Sequence, residues 1–139
     1  MSLVMPNQGE VLALKALLNH TAPQDLDLCL FTNNATMANS NTESSFTEIA
    51  NDTYGYALVE LTAANWTVTG GSPTSASYAK QTFTFTGAQG NVYGYMLLQR
   101  TSGKLVWAEK FSDGPYNVAN NGDKIEVTPV ITAASVTSD

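Results

Sequence analysis

The sequence is poor in the residues on which most enzymatic chemistry depends. Its 139 residues include one histidine, His20, and one cysteine, Cys29. A Ser-His-Asp or Cys-His arrangement would have to use His20, and no nucleophile-elbow motif accompanies it. His20 lies in NHTAP, directly after a helical pattern, where a donor or cation meets free carbonyls. One His and one Cys do not make a soft-ligand metal set, so neither a metal nor a cofactor is expected. Cys29 has no internal disulfide partner and sits in an apolar strand pattern, where a free cysteine acts as a small hydrophobe.

Charge is scarce too. Charged residues make up 13% of the chain, against about 25% in typical domains. The net charge is −6, and the six basic residues (Lys15, Lys80, Arg100, Lys104, Lys110, Lys124) are scattered singly. Phosphate backbones need clustered cations, so no nucleic-acid partner is expected. Attraction to an anionic membrane is disfavoured for the same reason. No apolar run approaches the roughly 20 residues of a membrane span. The opening MSLVMPNQGE lacks a basic segment followed by a long apolar one, which points to synthesis and folding in a reducing cytoplasm.

What the chain does have is a hydrophobic share of 43%, enough for one domain, and a surface rich in Ser, Thr and Asn. The expected organisation is an arm over 1–6, a helix over 7–19, a β-sandwich over 26–132 and a tail over 133–139. Val11, Leu14, Leu17 and Leu18 follow helical spacing. Asn7 with Glu10 reads as a capping-box-like start, and Pro23 ends any continuation. Such a helix packs on a sheet or meets a partner.

From Leu26 the period changes to two. LDLCLFT puts Leu26, Leu28 and Leu30 on one face and Cys29 and Phe31 on the other, so both faces need cover. Residues 33–53 form a long polar loop with an apolar island at Phe46 and Ile49, of the kind that serves function or crosses a partner. Strands are expected at 55–62, 65–69 and 77–86, with turn chemistry in TGGSPTS. Phe83 and Phe85 alternate with Thr82 and Thr84.

The best-defined unit is the hairpin VYGYMLLQR-TSGK-LVWAEKF. A two-residue Ser102-Gly103 turn pairs Leu98 with Trp107, Met96 with Glu109 and Leu97 with Ala108. It also pairs Tyr95 with Lys110 and lays the Phe111 ring over Gly94. KIEVTPVIT turns Ile125, Val127 and Ile131 inward, and Pro129 marks an edge or strand end. About eight antiparallel strands without βαβ alternation define a mainly β chain, a sandwich or jelly roll with one short N-terminal helix.

Three constellations invite chemistry. Glu109 beside Trp107 and Phe111, with Glu60 beside Tyr56, has the composition of a glycosidase acid pair, although any half-apolar sheet generates such pairs. Asp113, Asn117, Asn121 and Asp123 supply oxygens of the kind that bind calcium, but DGP and NNGD read first as turns. Tyr54, Tyr56, Tyr93, Tyr95 and Trp66 suit a sugar-stacking platform, or equally ordinary cross-strand packing.

The segments MPNQGEVLALKALLNHTAP, LCLFTNN, SYAKQTFTFTG and YGYMLLQRTSGKLVWAEKFSDGPYNVANNGDKIEVTPVIT resemble small virion proteins of tailed phages of marine and cyanobacterial hosts. The likeness runs over nearly the whole chain, is weakest in 37–53, and contains no catalytic signature. It implies a non-enzymatic capsid decoration (cement) protein on the virion surface. Its partners would be the major capsid protein and itself, as a homotrimer. Leu3, Val4 and Met5 before the helix, and the island residues Phe46 and Ile49, are the expected interface. A carbohydrate-binding or tail-adsorption module is the alternative.

Overall fold

The computed structural model describes residues 5–18, 24–71 and 74–133. Over these residues the chain is mainly β, with one α-helix and eleven antiparallel strands. Helix α1 spans Asn7–Leu17. The strands are β1 (Leu26–Phe31), β2 (Val59–Leu61), β3 (Thr67–Thr69), β4 (Thr74–Ser77), β5 (Gln81–Thr84) and β6 (Gly90–Val92). They continue with β7 (Gly94–Gln99), β8 (Leu105–Lys110), β9 (Tyr116–Val118), β10 (Lys124–Val127) and β11 (Val130–Ala133). Several expected strands are shorter or divided. Residues 77–86 belong to two strands, and KIEVTPVIT breaks at Pro129, whose carbonyl accepts the Tyr78 N–H.

The central sheet has the order β2-β1-β7-β8. Strand β1 carries apolar residues on both faces, and the structure covers both. On one face Leu28, Leu30, Tyr95, Leu97 and Trp107 pack with Phe83, Phe85, Ile125 and Val127, among others. The pairs β5-β10 and β6-β9 contribute to this sandwich-like core. The inward pointing of Phe83, Phe85, Ile125 and Val127 agrees with their period-two pattern. On the other face Cys29, Phe31, Met96, Leu105 and Ala108 pack with Ala35 and Phe46.

The second cover comes from the 33–53 loop. This loop is stitched down along its length. Thr32 N–H donates to Thr47 O at 2.9 Å, and Ile49 N–H to Leu30 O at 3.1 Å. Asn33 donates to Ser45 O at 3.0 Å and accepts from Thr47 N–H at 2.7 Å. The expectation that both faces of β1 need cover is met within the chain, by strands on one side and by the loop on the other.

The hairpin departs from its expected register. Gln99 N–H donates to Lys104 O, and Gly103 N–H to Gln99 O, closing a four-residue loop, Arg100–Gly103. Gly103 has φ +71°, a conformation glycine adopts without Cβ strain. Tyr95 pairs with Glu109, Met96 with Ala108 and Leu97 with Trp107, whereas Leu98 pairs with Leu105, so Val106 bulges out. The bulge changes side-chain parity. Leu105 and Trp107, two residues apart, consequently enter opposite cores. The ring over Gly94 is Phe31 from the neighbouring strand, and not Phe111. A Cβ at Gly94 would lie 2.7 Å from Phe31 Cζ and 2.2 Å from Glu109 O.

Helix α1 docks at the same bulge. A Cβ at Gly9 would meet Val106 O at 2.2 Å, so only glycine permits this approach. Gln8 Oε1 accepts the Leu105 N–H at 3.0 Å. The helix start differs from the capping box expected. Pro6 is the N-cap, no side chain caps the helix, and Asn7 is its first residue. The Asn7 N–H donates to Asn39 O at 2.9 Å instead, tying the helix to the covering loop. The regular helix ends at Leu17, and position 19 of the expected span lies outside the described residues.

Candidate functional site

Of the expected interface residues, Leu3 and Val4 lie outside the described residues. Met5 packs against the main core beside Gly9, and Pro6 is buried, so this end of the expected arm is part of the body. Phe46 and Ile49 are 6% and 3% exposed. Their apolar character serves this chain's own two cores, and they are not available to a partner in this state.

The acid pair does not assemble. Glu60 is on β2 and Glu109 on β8, at opposite edges of the four-stranded sheet. Three strand spacings of about 4.8 Å separate those strands, beyond the roughly 5–10 Å a glycosidase requires. Glu60 accepts an ion pair from Arg100 Nε at 2.5 Å, and the same guanidinium reaches Asp27 at 2.6 Å. The bond to Asp27 raises the Arg100 pKa further above its ordinary value. Glu109 accepts the Tyr95 hydroxyl at 2.9 Å.

The aromatic platform is not formed either. Tyr56 and Tyr95 are 1% and 4% exposed. Tyr56 stacks on Phe83, and its hydroxyl accepts the Leu30 N–H at 3.1 Å and donates to Glu48 at 3.3 Å. The phenol thus pairs a strand donor beyond the end of the short β2. Burial, with Cys29 and Glu48 nearby, pushes the Tyr56 phenol above its ordinary range, and burial with Glu109 nearby does so for Tyr95. Trp66 packs edge-on against Tyr78. Tyr54 is half-exposed in a left-handed conformation, with its ring lying where a Gly87 Cβ would be.

The oxygen-rich segment is used for turns. Asp123 accepts the N–H groups of Ala119 and Asn120 at 2.9 and 3.0 Å, and Asp113 accepts the Tyr116 hydroxyl. Among the described residues no group of three His, Cys, Asp or Glu side chains is placed to hold a metal ion. Cys29 is fully buried, and burial followed by the nearby Glu48 pushes its thiol well above the ordinary range. A thiol held protonated is a poor nucleophile. His20 lies outside the described residues. No helix among the described residues is long and apolar enough to cross a membrane.

Among the described residues the apolar stripe of α1 is uncovered, and its spacing left open whether it packs on a sheet or meets a partner. Val11, Leu14, Leu17 and Leu18 were expected to pack on a sheet if the helix belonged to the body. They are 51%, 57%, 78% and 73% exposed. The side facing the body presents Gly9, Leu12 and Ala16. Together with Leu26, Trp66 and Val106, these residues help line an apolar cavity of about 310 Å³. The arrangement offers contact area, and it brings no reacting groups together. Comparison with known protein families, with curated proteins and with solved structures found no match to this chain.

Proposed function

We propose that this chain is a virion structural protein of a tailed phage, of the capsid decoration type, which binds the assembled major-capsid shell as a homotrimer. The observation that carries the reading is the bare apolar stripe of α1 beside a central sheet covered on both faces. A large exposed apolar patch marks a site of macromolecular contact. The choice of a capsid as the setting rests on the resemblance of the chain to phage virion proteins. A surface of Ser, Thr and Asn with 13% charge suits a protein that is largely shared with neighbours, because interface cores are depleted of charge.

The mechanism is mass action. A protein that binds assembled shells and not dissociated subunits shifts the shell's stability by about 2.7 kcal/mol per site at a hundredfold excess over Kd. Shells prepared with and without the chain test this reading. Co-sedimentation at fixed stoichiometry together with greater heat resistance is the expected result. No co-sedimentation and equal heat resistance would overturn it.

A further inference from the structure

The outward stripe of α1 is not a uniform apolar patch. At about 100° per residue, Val11, Leu14 and Leu18 point directly away from the side carrying Gly9, Leu12 and Ala16. The spacings of three and four residues make Val11 and Leu18 a-type positions and Leu14 a d-type position. Asn7 occupies the preceding d position. Glu10 falls on one flank of the stripe, at g, and Lys15 on the other, at e. Among the described residues neither Glu10 nor Lys15 forms an ion pair.

This charge arrangement selects an occupant. In a parallel bundle a g residue meets the e residue five positions later on the next helix, and Glu10 and Lys15 are five apart. An antiparallel pair puts g flank against g flank and e against e, so Glu10 and Lys15 would not meet. The flank on the Lys15 side also has room. Asn7, Gln8, Val11, Leu12, Lys15 and Lys104 line a groove of about 400 Å³, in which Lys104 is paired with Glu43 and Lys15 can receive a neighbour's acidic edge.

We infer that α1 is a self-association face, on which copies of this chain pack their helices in parallel around a rotation axis. Val11, Leu14 and Leu18 form the seam, and Glu10 of each copy pairs with Lys15 of a neighbouring copy. The inference rests on the reading that the protein acts by contact, but it does not depend on a capsid. An 11-residue helix is about 16 Å long, so the seam is short and the association is concentration-dependent.

Sedimentation equilibrium of the full chain at about 100 μM, with no shells present, tests the inference. The wild-type chain should have a weight-average mass above that of one chain, rising with concentration. Lys15→Glu and Glu10→Lys should each weaken association at least about tenfold, because like charges then face each other. The double variant should recover association to within about threefold of wild type. A single-chain mass for the wild type would overturn the inference, as would a double variant no better than the singles. Shell binding by a wild type that is single-chain in solution would separate the two readings, leaving the shell-binding part of the proposed function standing and this face wrong. All the substituted groups are exposed, and unchanged circular dichroism will show that the variants remain folded.

Discussion

The β body and helix α1 solve the same problem to different degrees. In the body, strand β1 is apolar on both faces, and the chain covers each face. One cover is built from strands and the other from the 33–53 loop. In α1 both faces are also apolar, yet only the face carrying Gly9, Leu12 and Ala16 is turned to the body. Two-sided hydrophobicity therefore does not by itself indicate a partner. Among the described residues, the outward side of α1 is left without such a cover.

Several substitutions test this contrast, and the largest effects belong to the body. Phe83→Ala, in the strand-built core, should cost about 3–5 kcal/mol in urea unfolding. If the loop is a true structural layer, Phe46→Ala should fall in the same range and not near zero. A loop that merely crosses the surface would tolerate the loss of Phe46. Next in size is Gly9→Ala, which would drive a Cβ into Val106 O. Overpacking of this kind costs about 1–3 kcal/mol, and hydrogen exchange should show lost protection in α1 and at the Leu105 N–H.

An alkaline effect belongs to the body alone. The phenols of Tyr56 and Tyr95 are raised above their ordinary value of 10.0, and the Cys29 thiol above 9.0. Each group is neutral when protonated and is held neutral by the fold. The stability these groups contribute should therefore be complete below about pH 9 and fall as the pH rises further, because the unfolded chain loses these protons first. Tyr95→Phe should flatten part of that slope between about pH 9 and pH 11, measured by unfolding at a series of pH values. The smallest effect should come from the stripe. Leu14→Lys should change dilute-solution stability by no more than about 0.5 kcal/mol.

The body was largely legible in the sequence, because its strands follow the two-residue period. Leu28 and Leu30 against Cys29 and Phe31, Phe83 with Phe85, and Ile125 with Val127 all lie where alternation puts them. The hairpin register was not legible. It depends on a four-residue loop, a bulge at Val106, and Gln8 accepting the Leu105 N–H from far along the chain. None of these leaves a local hydrophobic pattern. The helix was found, but which side docks was not, because its docking face is built from small residues. Gly9 and Ala16 matter for how closely they let backbone approach, whereas large Leu and Val side chains dominate a periodicity count. The stripe was therefore visible as residues, and its outward direction was not.

The central claim is that the body is complete without a partner and that the outward face of α1 is not. Leu14→Lys compared with wild type tests both halves in one pair of samples, melted in dilute solution and weighed by sedimentation at about 100 μM. The account predicts matching melting temperatures and a weight-average mass that drops from above that of one chain to that of a single chain. A melting temperature lowered in dilute solution, or a mass unchanged by the substitution, would contradict it.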